Sequence, residues 1–416
     1  MNKRALLLVG LLIPVIIIGV IVLKQSDSTP NDDTGTQEIP TENPSTEPDG
    51  PEEAPDETST EPIIEEMTIH PRIASWLAKK DELIMSQEPY SLVMAGWFSP
   101  EEAEQLRASN PDMLLLAGLS ATWVWDNEGW MNFLLAVANY GRDTPFEITE
   151  DMYLHDENGD RCGFGWASEA WQQEEIYAMD PRNPAWVELI TSFYEKALAQ
   201  PQHDGIIIDM VVERQYWCPT ITDQEWLAAT KAIYRTINEL NTEDKLIIFN
   251  AGARLEDIDE YSQYFDGYLM ENFMGTQLNT DFIDGLEVVD SDKLVIYAVD
   301  TDDTGVIDMN RMRLGLVLSL LGDNTYFTYD FGPRDHGQAW WYPEYDVDLG
   351  EPLGAYYLKD GAYWREYEKG IVVAAPDGVT VSLETGYIDV TSGETATSFT
   401  IEPGDGRIYL STSITN

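Results

Sequence analysis

Asp204-Gly205-Ile206-Ile207-Ile208-Asp209 and Asp266-Gly267-Tyr268-Leu269-Met270-Glu271 are two readings of one pattern. Each gives a tight turn, a short apolar run of strand length, and a carboxylate at the strand's carboxyl end. In a barrel of parallel strands those ends converge on one mouth. Two acids aimed into one mouth are the basic equipment for cleaving a glycosidic bond.

Working outward, further short apolar runs alternate with helical patterns. Strands are expected at Leu92–Trp97, Met113–Gly118, Ile176–Met179, Leu246–Asn250, Leu294–Val299 and Thr325–Tyr329. With the two runs above they make eight. Helices are expected at Pro100–Ser109, opened by Ser99 as N-cap with Pro100 in the first turn, and at Pro184–Ala199, Asp223–Leu240 and Val306–Leu321. Met152–Gly163 reads as a hairpin around Glu157-Asn158-Gly159-Asp160. The rhythm suits a (β/α)8 TIM barrel over residues 67–353. An open doubly wound sheet fits less well, because no Gly-rich phosphate turn follows the first strand. From residue 354 to 416 the period falls to two, with runs such as Gly370–Ala375 and Arg407–Leu410, and a small antiparallel β domain is expected.

Residues 1–24 hold an unbroken apolar run, Ala5–Leu23, preceded by Lys3 and Arg4. It is about long enough to span a bilayer, with the N-terminus on the cytosolic side. An uncleaved transmembrane anchor is favoured over a cleaved signal peptide, as no small-x-small site follows. Residues 25–66 carry 14 acids, no bases and much Ser, Thr and Pro. Such a segment reads as a disordered acidic stalk. Both readings place the rest of the chain outside the cell, tethered to the membrane or secreted.

The 416-residue chain has a formal net charge of −51. From Met67 onward, 61 acids face 21 bases, a net −40. That excludes nucleic acid as a natural partner and disfavours sulfated or uronic polymers. A neutral or amino-sugar polysaccharide or oligosaccharide fits better. Two cysteines, Cys162 and Cys218, fall in loops on one face after neighbouring strands, where an exported chain could pair them; two unlinked thiols are the alternative. His70, His155, His203 and His336 are scattered without metal-ligand spacing and read as surface or loop residues. No metal or cofactor is expected. Asp300-Thr301-Asp302-Asp303-Thr304-Gly305 starts like a calcium loop, but Arg311 stands where the closing acid belongs.

Hydrolysis needs one protonated acid and one ionised carboxylate. Asp209 is assigned the role of nucleophile or base and Glu271 that of acid, the division depending on which environment raises its pKa. Bulky residues follow both, so neither reads as a simple helix cap. Asp180, Asp300 and Asp330 also end strands and are candidate sugar ligands, as is the amide of Asn250. Trp97, Trp123, Trp125, Trp130, Trp166, Trp217, Trp340 and Trp341 are expected near the mouth, with Trp97, Trp125 and Trp340 as stacking platforms for sugar.

These residues carry a resemblance. Asp204–Asp209, Asn250-Ala251-Gly252 and Tyr268-Leu269-Met270-Glu271-Asn272-Phe273 are joined by Asp348-Leu349-Gly350-Glu351-Pro352-Leu353-Gly354 and by Trp364–Val373. Together they resemble a hypothetical glycosyl hydrolase family, similar in outline to polygalactosaminidase-type enzymes. Met179-Asp180-Pro181-Arg182-Asn183-Pro184-Ala185-Trp186 fits the segment before that family's third helix. The likeness covers about Leu92 to Pro376. It departs at Ala375-Pro376, where Asn-Pro is usual, and at Met210, where a polar residue is common. It implies a TIM barrel with a β domain and glycosidase activity. A noncatalytic carbohydrate-binding or structural cell-surface protein on the same scaffold is the alternative.

Overall fold

The computed structural model describes residues 71–163, 176–215, 217–252, 258–274 and 278–413. The N-terminal apolar run, the acidic stalk, His70 and Trp166 lie outside the described residues. No helix of the described residues is long and apolar enough to cross a membrane.

Ten strands precede the C-terminal sheet: β1 (Ala74–Trp76), β2 (Leu92–Ala95), β3 (Leu114–Ser120), β4 (Trp123–Trp125), β5 (Ile176–Ala178), β6 (Gly205–Asp209), β7 (Leu246–Asn250), β8 (Gly267–Phe273), β9 (Leu294–Asp300) and β10 (Thr325–Asp330). Eight of them form a parallel sheet in the order β1-β2-β3-β6-β7-β8-β9-β10. The ring closes where Ile73 bridges Phe327 and Phe327 N–H donates to Arg72 O at 3.0 Å. Strand interiors are Val, Ile, Leu and aromatic because helices cover the outside and side chains fill the inside.

Membership of the ring differs from expectation at two places. Ile176–Met179 is not a barrel strand. It pairs antiparallel with β4, Trp123 facing Ala178, in an excursion between β3 and β6. The missing eighth strand is β1, whose three residues are followed by Leu77 in a left-handed turn at φ 57°. Asp180 therefore ends the excursion and not a barrel strand.

Helix boundaries follow their caps. Helix α1 spans Lys80–Ser86, and α2 (Pro100–Arg107) opens with a reciprocal Ser99/Glu102 capping box. Helices α3 (Glu128–Ala138) and α4 (Pro184–Leu198) follow, then α5 (Asp223–Leu240) with the same box from Thr222 and Glu225. Helix α6 covers Leu278–Glu287. Helix α7 begins at Met309 rather than Val306, because Asp308 accepts from the N–H groups of Asn310 and Arg311.

Ten of the thirteen residues of α7 (Met309–Leu321) are buried, since both of its sides are covered. One side faces the barrel. The other meets a six-stranded antiparallel sheet formed by β11 (Tyr357–Lys359), β12 (Ala362–Glu366), β13 (Gly370–Ala375), β14 (Val379–Asp389), β15 (Thr395–Ile401) and β16 (Asp405–Ser411). All of β13 is buried: Val372 and Ala374 join the barrel core, while Ile371, Val373 and Ala375 join a second core with Val381, Phe399 and Tyr409. Strand β14 carries an irregularity in its pairing between Ser382 and Tyr387.

Candidate active site

The parallel register brings strand ends to one level. Asp209 lies beside Ser120 of β3, and Asp300 beside Asp330. Asn250 ends β7 between the strands of Asp209 and Glu271. All are buried: Asp209, Asn250 and Glu271 are each 1% exposed, Asp300 and Asp330 4%.

Asn250 ties the two acids together. Its Nδ2 donates to Asp209 Oδ1 at 2.6 Å and also to Glu271 Oε2. Its carbonyl oxygen accepts from Gly252 N–H at 2.9 Å, which fixes which end of the amide faces the acids. Gly252 makes this return at φ 61°, a conformation suited to glycine. The two carboxylate oxygens share one donor nitrogen, so they are no more than two short hydrogen bonds apart, about 5 Å.

The acids differ in their other partners. Glu271 Oε1 accepts from the indole N–H of Trp76 at 2.6 Å and lies 3.0 Å from His336 Nε2, a charge contact without the alignment of a hydrogen bond. His336 Nδ1 bonds Asp330 Oδ2 at 2.7 Å. Asp209 Oδ2 has no hydrogen-bond partner among the described residues. Burial, reinforced by the negative charge of Glu271, holds the Asp209 carboxyl well above the usual range, against the pull of Asn250. Burial would lower the His336 pKa, but Asp330 and Glu271 outweigh it and raise it well above the ordinary value. Burial and the charge of Asp330 push Asp300 up to about 7. Burial also raises Asp330, while His336 opposes it.

Glu271 has a side-chain donor at each oxygen, Trp76 at Oε1 and Asn250 at Oε2, whereas among the described residues Asp209 has one only at Oδ1. Met210, next to Asp209, takes φ 55°, a left-handed turn that is unusual for a side chain of its kind.

Several expected ligands lie elsewhere. Trp97 turns outward, edge-on to His203 with ring centroids 4.7 Å apart, and packs on Phe133 of α3 and Phe193 of α4. Trp125 is buried in the excursion against Trp130. Trp340 packs on Tyr329, whose hydroxyl meets the N–H of Asp308 before α7, on the outside of β10. Asp180 is ion-paired with Arg182. Trp123 and Trp217, from the loops after β3 and β6, do meet edge to face at 5.3 Å. Beside them a disulfide joins Cys162 to Cys218. Trp341 packs on Tyr90.

Two site residues escaped the sequence reading. Trp76 sits on the strand that was not recognised. His336 is 4% exposed, not a surface residue, and His203 is buried as well. The available signal for His336 was its place six residues beyond the strand-end acid Asp330. Among the described residues no group of three or more His, Cys, Asp or Glu is arranged to hold a metal ion.

Residues 107–371, well over half the chain, match the model of hypothetical glycosyl hydrolase family 15. No curated protein matches. Solved structures similar to this chain include a maltogenic α-amylase from Thermotoga neapolitana, 10% identical over 80% of this chain and 93% of that one, TM-score 0.45. An α-amylase from Malbranchea cinnamomea is 13% identical over 80% and 88%, TM-score 0.44. An α-galactosidase variant from Geobacillus stearothermophilus is 10% identical over 83% and 56%, TM-score 0.44.

Proposed function

The chain belongs to hypothetical glycosyl hydrolase family 15, and from that premise we propose that it is a glycosidase acting through Asp209 and Glu271. The observation that carries the reading is the single Asn250 nitrogen bonded to both carboxylates. A buried pair this close holds one proton between them, as acid-assisted cleavage requires. Asp209 gives its proton to the glycosidic oxygen as the bond to the anomeric carbon breaks. Ionised Glu271 takes the positive charge that develops on the sugar. The closeness of the facing oxygens favours direct attack by Glu271 and retention of configuration, since an intervening water needs a gap of about 6.5–9.5 Å.

The substrate is a neutral or amino-sugar polysaccharide or oligosaccharide. The net charge of −40 from Met67 onward would repel uronic or sulfated sugars. We place the enzyme outside the cell, tethered through Ala5–Leu23. The Cys162–Cys218 disulfide supports an oxidising compartment.

The near-complete burial of both acids also suits a barrel that binds glycan and no longer cuts it. One experiment separates the two readings. The full chain is screened against neutral and amino-sugar polysaccharides with detection of new reducing ends. Turnover that falls by about a thousandfold or more in both Asp209→Asn and Glu271→Gln, with the fold retained, supports the enzyme. Binding without product, or turnover unchanged in both variants, removes it.

A further inference from the structure

We propose that His336 is a positioning residue that, anchored by Asp330, holds Glu271 ionised and in fixed orientation for the reaction. The inference rests on the reading of Glu271 as the ionised partner of the dyad. Both ring nitrogens of His336 face carboxylate oxygens: Nδ1 lies 2.7 Å from Asp330 Oδ2, and Nε2 lies 3.0 Å from Glu271 Oε1. A lone pair on either nitrogen would face a carboxylate oxygen, so the charges match only when both nitrogens carry protons. The ring is 4% exposed, and the tilted indole of Trp76 lies 6.2 Å away, centroid to centroid. Glu271 is thus held from two sides, Oε1 by Trp76 and His336, Oε2 by Asn250.

The other charged groups around His336 favour its cationic form. Asp209 on β6, Asp300 on β9 and Asp303 after β9 all interact with it electrostatically. Opposing cations stand further out. Arg311 acts on Asp300, Arg334 pairs with Asp303 at 2.8 Å, and Lys79 lies beside Gly337 together with Asp335. His336 transfers no proton in this scheme. Asp209 supplies the proton for the leaving oxygen, Glu271 forms the bond to the anomeric carbon, and His336 keeps both of its own. Its contribution is a positive charge fixed against Glu271 Oε1.

The test has one arm that needs no substrate. In the full chain labelled with 15N-histidine, the His336 signals are assigned by their loss in His336→Gln. The expected result is a doubly protonated ring at about pH 8, well above the ordinary histidine range. Its titration should fall towards that range in Asp330→Asn and in Glu271→Gln. A neutral ring at pH 7, or a titration unmoved by Asp330→Asn, overturns the proposal. The second arm is the pH profile on a sugar that the wild type cleaves. His336→Gln should shift the acid limb upward by about one unit or more and lower kcat with little change in KM. A lowered melting temperature with an unmoved limb would mean packing alone and would also overturn it. If the wild type cleaves nothing, that result falls on the glycosidase reading, and the ring titration still decides this one.

Discussion

Asn250 stands between Asp209 and Glu271 and hydrogen-bonds both from one nitrogen. Its oxygen is taken by Gly252, so the amide cannot turn over without leaving the acids facing a carbonyl. Asn250→Asp would put a third carboxyl between two others and raise the number of protons held in the site. Asn250→Ala would remove the common donor and leave the two acids to repel. We expect kcat to drop about a hundredfold or more in each, with Asn250→Asp shifting the pH optimum and Asn250→Ala mainly lowering its height. Kinetics over a range of pH on a cleaved polysaccharide would show the difference.

The division of roles within the dyad has its own signature. If Asp209 is the proton donor, Asp209→Asn should lose most activity on substrates with poor leaving groups and keep much more on activated aryl glycosides, which depart without a proton. Glu271→Gln should lose both. Equal losses on the two substrate types in Asp209→Asn, with sparing in Glu271→Gln, would restore the assignment expected from sequence. The measurement is kcat/KM for the two substrate types in each variant.

Asp300 links the site to stability. Its carboxyl is raised from 3.8 to about 7 by burial and by Asp330. A raised carboxyl means that the folded state holds a proton which the unfolded state has released. Its contribution is therefore intact below about pH 4 and lost as the pH climbs towards 7. At roughly 1.4 kcal/mol per unit, the loss is on the order of 4 kcal/mol across that window. Asp300→Asn should melt higher than the wild type at pH 8 and close to it at pH 4. Thermal melts of both proteins at the two pH values would show this, and equal differences at both would count against it.

How much of this was legible in the chain can be argued element by element. Ile206–Ile208 and Leu246–Phe249 are apolar runs bounded by turns, and buried parallel strands must look like that. The same local rule misread Ile176–Met179, which is equally apolar but pairs with Trp123–Trp125 outside the ring. It missed Ala74–Trp76, because three residues after Pro71 are too few to show a period. Asp209 and Glu271 could be picked out because acids that close short apolar runs are a local pattern. His336 was passed over because its importance is not local: a loop after the last strand folds back over a residue of β8. Trp97, Trp125 and Trp340 were expected at the mouth but pack on other elements, since following or flanking a strand does not settle which side of the sheet a ring takes. Asn250 was read as a sugar ligand, and its bridging position depends on a turn at Gly252 that only three dimensions reveal.

The seam between barrel and β domain holds a buried charge whose nearest substitutes are weaker. Asp405, 1% exposed, accepts from Arg313 Nε at 2.9 Å and Nη2 at 3.2 Å, and lies 2.5 Å from Arg407 Nη1. Arg313 belongs to α7, whereas Asp405 and Arg407 belong to β16, so one carboxylate neutralises two guanidinium groups across the boundary. The next acids are weaker partners: Glu344 lies 3.9 Å from Arg313 and Asp389 3.7 Å from Arg407. Asp405→Asn keeps the shape and removes the charge, leaving Arg313 and Arg407 only the longer contacts to Glu344 and Asp389. A buried pair broken from one side costs about 3–5 kcal/mol, because the remaining charge stays out of water. Arg313→Met should cost less, as Asp405 keeps Arg407 and the methionine fills the space. Denaturant unfolding of the two variants should therefore rank Asp405→Asn as clearly the less stable. An equal or reversed order would show that the apolar contacts of Val317, Val372 and Ile408, rather than this carboxylate, hold the β domain against α7.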